Sequence, residues 1–557
     1  MEAVKDSLLA ANLAALGDAH PRLALQLQFE KERQLIAPAV RASCDEKKLE
    51  AIEVLYLFGW GRQDEVASFV EWAADQTHRR LILLIPSLAH FAAILETSDW
   101  TSIFGCKQVG FFLHDESIHE VIWQAVHRRT LFLNLATPKG TLHCQGEAVR
   151  QELAALTWEG EGALAAVGDF GLASFENVHR NLHSAKSLVA TEALKGRFAQ
   201  VPAVICGAGP SLEGELVTLQ QSAGQALIFA AGSALSCLER GGVQPHFAAM
   251  LDPDVPLQRI QRQSSWMVPL LCQLQVTSSL FETFEEKKIA FCAHTTTLMQ
   301  KELLRAAGLT VRPFEAGWHA LNFAAHCAYW LGCSPLIFVG MESATRGQAV
   351  YAAGASYPDE PEKSMRIDHI PCVDQMGEQV FSRPDFLLGK KWLEVFAQEH
   401  RDAVWINATP QGLCYEGMEQ MALSAALTSY SRRSRDLKGE VHAALATQPQ
   451  VAIDRRGIAQ TVALFKQSAR QCLACVEEWL KGDRGKQLVA YFELEEEYFY
   501  REALAPLWEV WRHLLQRGEV VAAMKETSLE CRLQEIIFFK RVCADYVALF
   551  SRLECRT

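Results

Sequence analysis

The stretch Val204–Leu212, VICGAGPSL, decides how the rest of the chain is read. An apolar run stops at Gly207 and Gly209, and Pro210 and Ser211 then open a helical pattern. Glycines allow a tight turn and close backbone approach. Pro at an early helical position and Ser near a cap suit a helix start. The N-terminus of a helix offers unpaired N–H groups and a favourable dipole to an anion. Three meanings stay open at this point: a phosphate cradle, a degenerate dinucleotide turn, or a packing corner. Leu212 stands where a dinucleotide fingerprint has its third glycine, which argues against an NAD-type crevice.

Downstream, the same grammar repeats. Apolar runs at 203–207, 226–231, 247–251, 268–274, 288–293, 335–340 and 403–407 alternate with helical patterns, and most end at a glycine or a polar residue. Strands alternating with helices of this length predict a parallel sheet. In open α/β sheets, ligands bind beyond the carboxyl ends of the strands, so the residues at those ends are the candidates.

Upstream, a shorter series has strands at 51–61, 80–86, 107–113 and 130–136, with helical patterns at 64–75, 87–96 and 118–127. Gly59 and Gly61 follow its first strand. A nucleotide site there would want an acid at the end of the second strand, where Ile85, Pro86 and Ser87 stand instead. This series reads as a structural Rossmann-like domain. From 431 onward no strand pattern survives. Ile458, Val462, Phe465, Ala469, Cys472, Val476 and Trp479 form one apolar helix face. The expected organisation is α/β: a Rossmann-like domain over 1–140, a helical connector over 141–200, a central parallel-sheet domain over 201–430 and a helical bundle over 431–557.

Composition narrows the function classes. The 557 residues are 49% apolar and 22% charged, as in ordinary globular proteins. A net charge of −12 argues against a broad nucleic-acid or anionic-membrane surface. Glu2 and Asp6 precede the first apolar stretch, unlike a secretory signal, and no apolar run has transmembrane length. A cytoplasmic protein is expected. The sixteen cysteines lie scattered in apolar segments, as reduced, buried thiols would. Cys472 and Cys475 form the one Cys-x-x-Cys pair, inside a helical pattern with no second pair nearby.

The candidate site residues come from the strand ends of the central series. Gly207, Ala208, Gly209 and Ser211 follow the first strand; Gly232 and Ser233 follow the second. Asp252 and Asp254 bracket Pro253 after the third. An Asp-x-Asp there can hold a divalent ion such as Mg²⁺ against a diphosphate, or simply make a capped turn. Gly317 and His319 precede a helix, Glu342 follows a later strand, and Asn407 ends the last one. The segment 343–385 has few apolar runs and carries Arg346, Tyr351, Tyr357, Arg366, Asp368, His369 and Asp374. A loop of this length and content reads as a lid or acceptor loop.

Taken in order, KGRFAQVPAVICGAGPSL, GSALSCLERGGVQPHFAAMLDPD, LGCSPLIFVGMES and NATPQGLCYEGM resemble the motility-associated-factor (Maf) glycosyltransferases of the DUF115, MptE-like superfamily. That family moves nonulosonic, sialic-acid-like sugars from CMP-activated donors to Ser or Thr of flagellin, and its central domain is similar to bacterial CMP-sialic acid sialyltransferases. The resemblance implies a CMP-sugar as substrate and a flagellin-like protein or a glycan as acceptor. It implies that the 207–211 turn, Gly232, Ser233, Gly317 and its neighbours face the donor, and that Tyr351, Tyr357 and His369 are catalytic. The tyrosines would assist the departing phosphate, and the histidine would be the base, with a pKa suited to the task. Three places depart from the family pattern: Pro245-His246 for Pro-Asp, Glu342 for Asp, and Pro410-Gln411 for Glu-Gly. Two rival functions follow from the same residues. One is a Mg-ATP-dependent pyrophosphokinase acting on a 6-hydroxymethylpterin, with Asp252 and Asp254 at its centre. The other is a degenerate, non-catalytic interaction scaffold.

Overall fold

The structure, a computed structural model, describes residues 2–34, 49–113, 128–138, 140–168, 170–185, 188–255, 267–291, 297–311, 314–345, 351–352, 355, 370–430, 434–481, 484–515 and 528–554. The chain forms two compact units, Met1–Leu164 with Leu507–Glu535, and Ala165–Pro506 with Ile536–Thr557.

The first unit is built on four parallel strands, β1 (Val54–Phe58), β2 (Arg80–Ile85), β3 (Val109–Leu113) and β4 (Thr130–Asn134), in the order β3-β2-β1-β4. The order reverses between β1 and β4, where a parallel sheet would open a crevice. Here Gly59, at φ +75°, lies so close to β4 that a Cβ would sit 2.6 Å from the Ala136 nitrogen. The next residue, Trp60, is buried; its indole donates to the Leu84 carbonyl at 3.1 Å and packs on Phe91, Trp100 and Phe111. An aromatic core thus occupies the space beyond the first strand.

The second unit holds a nine-stranded parallel sheet. Its strands are β5 (Leu188–Ala190), β6 (Ala203–Cys206), β7 (Leu227–Ala231), β8 (Phe247–Met250), β9 (Leu270–Cys272), β10 (Lys288–Ala290), β11 (Leu336–Val339), β14 (Trp405–Asn407) and β15 (Glu419–Gln420). The order is β15-β14-β11-β6-β7-β8-β9-β10-β5. The seven strands expected from the apolar runs are all present. Residues of β6, β7, β8 and β11 are buried throughout, as expected for strands covered on both faces. The helix Ala320–Trp330 lies against β6, β7 and β8, and Ala324, Ala325 and Ala328 on it are fully buried. Their small side chains let the helix approach the sheet closely.

Three strand features escaped the sequence pattern, one of them the two-residue edge strand β15. β5 lies within the stretch expected to be helical, after the helices Thr141–Gly168 and Gly171–Ser184. Three residues are too short for periodicity to register. An antiparallel hairpin, β12 (Ile370–Val373) and β13 (Gln379–Ser382), forms inside the 343–385 segment. Its turn is held by Asp374, whose Oδ1 accepts the Met376 and Glu378 N–H groups at 2.9 Å. Leu437–Ala446 and Arg455–Leu480 continue the second unit, whereas Leu507–Glu535 belongs to the first. Phe465 on Arg455–Leu480 and Phe550 on Ser528–Glu554 both pack edge-on against Phe175. Among the described residues no helix is long and apolar enough to cross a membrane.

Candidate functional site

Strand order places the site. The chain runs outward from β6 to β10 and then returns to lay β11 on the other side of β6. The β6/β11 boundary is therefore the switch point of the sheet. A cleft of about 180 Å³ opens there, lined by Gly207–Gly209, Gly232, Ser233, Asp252, His319–Leu321, Gly340–Ala344, Tyr351 and Phe386. It brings together Gly207, Ala208, Gly209, Gly232, Ser233, Asp252, His319, Glu342 and Tyr351, nine of the residues singled out in the sequence.

The glycines have a packing role. A Cβ on Gly207 would overlap the Gly340 carbonyl oxygen, and one on Gly340, at φ +64°, would sit 2.5 Å from the Gly207 carbonyl oxygen. The ends of β6 and β11 can meet only if both residues lack a side chain. The turn amides are largely committed. Gly207 N–H donates to the Val339 carbonyl at 2.9 Å and Gly209 N–H to the Gly340 carbonyl at 3.0 Å. Ser211 N–H donates to Glu342 Oε1 at 2.6 Å. Of the three meanings left open for this turn, these bonds favour the packing corner: inter-strand closure and a carboxylate use the Gly207, Gly209 and Ser211 amides.

Glu342 is 7% exposed. Burial raises its carboxyl pKa, while the Ser211 hydroxyl and N–H pull it down. The raised pKa has a consequence for stability. The protonated form suits the buried position, so this group's contribution is full below the ordinary carboxyl value and is lost as pH rises through its folded pKa. We expect Glu342→Gln to gain melting temperature relative to the parent as pH rises through that window, and the gain to vanish in acid. Calorimetry across pH would read this.

Asp252 leaves β8 into the cleft. Its carbonyl accepts the Thr277 N–H at 3.2 Å, and the following Pro253 carbonyl accepts from Asn177 at 2.8 Å. Its carboxylate reaches solvent but is crowded by protein, and this desolvation raises its pKa. Asp254 is exposed and does not line the cleft. Among the described residues no group of three or more His, Cys, Asp or Glu is arranged to hold a metal ion.

His319 caps the helix Ala320–Trp330, and its ring lies against Gly389 with no room for a Cβ there. Burial lowers its pKa to about 4, against the pull of Asp385, so it is a neutral imidazole at pH 7 and donates one N–H at most. Tyr351 interacts with Arg383. Burial opposes the Arg383 charge, but Asp385 and Tyr351 outweigh it and hold the guanidinium protonated. Arg383 pairs with Asp385 through Nε at 3.0 Å and again through Nη2, and its guanidinium lies 4.6 Å from the Phe386 ring. Sequence reasoning missed Arg383, Asp385 and Phe386. The signal was an Arg-Pro-Asp helix start at the end of the supposed loop. It also missed Ser343, held at φ +50° with its hydroxyl 2.7 Å from the Tyr415 hydroxyl.

Three candidates stand behind the cleft wall. Ser211 is turned to Glu342. Asn407 Oδ1 accepts the Thr409 N–H at 3.0 Å, and Thr409 Oγ1 accepts the Met341 N–H at 3.1 Å, so this pair braces the β11 end. Gly317, at φ +66°, makes a turn over Asn322, which takes the Trp318 N–H at 3.1 Å and donates to the Gly389 carbonyl at 3.0 Å. Tyr357 and His369, with Arg346, Arg366 and Asp368, lie outside the described residues, as does the helix expected over 118–127.

Fold and site together define a parallel α/β protein with a ligand cleft at the switch point of its sheet. Residues 175–348 match the family model described as 6-hydroxymethylpterin diphosphokinase MptE-like. The chain as a whole has the fold of the Maf glycosyltransferase from Magnetospirillum magneticum AMB-1, with a TM-score of 0.51 and 14% identity, covering 99% of this chain and 96% of that one. No curated protein matches it significantly by sequence.

Proposed function

We propose that the chain is a glycosyltransferase that moves a nonulosonic sugar from a CMP donor to a hydroxyl of a flagellin-like protein or a glycan. The observation that carries this reading is the charge of the cleft. Two carboxylates, Asp252 and Glu342, line it, and among the described lining residues there is no Lys or Arg. A polyphosphate without a cation would meet repulsion there. A CMP-nonulosonate, charged only at one phosphate and at the sugar carboxylate, carries less negative charge than a nucleoside triphosphate, and its hydroxyl groups meet acceptors. In the transfer, the acceptor oxygen bonds to the anomeric carbon while the carbon–oxygen bond to phosphate breaks, and CMP leaves with the electron pair. Tyr351, backed by the Arg383 charge, is the described residue suited to donate a hydrogen bond to that leaving phosphate. His369 is the residue for which the family resemblance supplies a base role.

A second reading has its own support. Asp252 offers the cleft a carboxylate that makes no hydrogen bond among the described residues, and the MptE-like match carries a diphosphokinase in its description. A Mg-ATP site would use that carboxylate on the ion. Titration calorimetry with CMP, ATP and Mg²⁺ separates the two. We expect CMP to bind without metal and Asp252→Asn to weaken it by roughly tenfold or less. Binding that requires Mg-ATP and disappears in Asp252→Asn would sink the transferase reading. Binding of neither nucleotide would favour the scaffold.

A further inference from the structure

The Gly207–Ser211 turn has the sequence of an anion-binding turn, yet the anion position is filled from within. The helix it opens, Leu212–Gln221, has Ser211 as its cap residue in helical backbone conformation, and the Ser211 side chain makes no cap bond. The cap is supplied instead by Glu342, 131 residues away in sequence, through the 2.6 Å bond from Ser211 N–H to Oε1. A Cβ on Gly209 would fall inside the Glu342 carboxylate. Both Glu342 Oε2 and the Ser211 hydroxyl are buried and make no hydrogen bond of proper geometry.

Glu342 is also fixed from behind. Its carbonyl accepts the Leu413 N–H at 2.9 Å, and the preceding Met341 N–H is held by Thr409 Oγ1 at 3.1 Å. Gly412, at φ +104°, presses so close that a Cβ there would sit 2.5 Å from the Glu342 Cα. A clamped backbone and a buried side chain make the carboxylate a permanent part of the turn. A phosphate seeking the Ser211 N–H would find its place already taken by the Glu342 carboxyl group.

We propose that Glu342 is a specificity-determining residue, a built-in carboxylate that closes the Gly207–Ser211 turn to phosphate and turns the hydroxyl-bearing part of the ligand toward this side of the cleft. The second half of that statement rests on the nucleotide-sugar reading; the first does not. A one-methylene shorter Asp would draw the carboxylate back from the Ser211 N–H and reopen the turn.

The test uses inorganic phosphate as the probe, read by phosphorus NMR line broadening and by thermal shift on the full chain. The parent protein should show no saturable phosphate binding. Glu342→Ala should bind phosphate at least roughly tenfold more tightly than the parent, with acetate competing, because acetate replaces the missing group. Glu342→Asp, which preserves the charge and is the safer folder, should show a smaller gain. Glu342→Gln, which still fills the space, should show none. Saturable phosphate binding by the parent that Glu342→Ala leaves unchanged would overturn the proposal, as would no gain in both Glu342→Ala and Glu342→Asp. None of these readouts needs CMP to bind, so failure of the transferase reading would appear separately.

Discussion

Gly207→Ala should destabilise the second unit by about 3 kcal/mol and cut CMP affinity by roughly tenfold or more. The added methyl would overlap the Gly340 carbonyl oxygen and lie 2.9 Å from a Leu321 methyl. The first of these is backbone at the end of β11, which cannot turn aside as a flexible side chain could. The ends of β6 and β11 must separate, and both cleft walls move with them. Gly340→Ala should do the same and adds the strain of a side chain at φ +64°. Gly214→Ala is the control. It lies in the helix Leu212–Gln221, where a Cβ meets nothing within 4 Å, so it should be neutral or slightly stabilising. Calorimetric melting with CMP titration reads both effects. A Gly207→Ala protein that melts and binds like the parent would show that the strand ends are not in contact.

His246→Ala should destabilise the same unit by about 3 kcal/mol at pH 7. His246 is buried, and its Nδ1 accepts the N–H of Ile228, which is itself fully buried. Alanine would leave that N–H without an acceptor and a cavity beside it. The effect should also depend on pH. Burial lowers the His246 pKa from 6.5 to about 4, with a backbone bond at Ala223 working against the shift. The neutral ring therefore contributes stability that is full above pH 6.5 and lost as pH falls toward 4, on the order of 3 kcal/mol. The gap between parent and variant should shrink across that window. His319 and His326 are lowered to about 4 as well and add to the acid sensitivity of the parent, so the variant isolates the His246 share. A gap that stays constant from pH 7 to 4 would refute the titration.

His246 also shows how a departure from a family pattern is absorbed. Where the resemblance leads one to expect Asp, a neutral imidazole bridges two backbone groups at the start of β7. His246 is not among the residues that line the cleft, so the change bears on folding and leaves the cleft lining untouched.

Much of the site was legible because strand ends are marked locally. Apolar runs stop at Gly207, Gly232, Asp252 and Gly340, and a parallel sheet gathers the ends of its strands on one edge. Tyr351 was legible by residue type in an apolar-poor segment. Phe386 was not, nor was Arg383 behind Tyr351, because both follow the β12–β13 hairpin, whose short strands lack a readable period. Ser211 and Asn407 have residue types that suit both binding and bracing, and only the tertiary structure shows that the Ser211 N–H bonds to Glu342 and that Asn407 braces Thr409.

By itself the sequence determined the parallel α/β architecture, the helical C-terminal part and the positions of the turns, since helix and strand periods and glycine chemistry act over a few residues. Only the tertiary structure decided what VICGAGPSL is for. Its glycines are needed where β6 meets β11, and its anion position belongs to Glu342. Both facts depend on strand order, and strand order joins residues more than 130 positions apart, a distance over which no local pattern carries information.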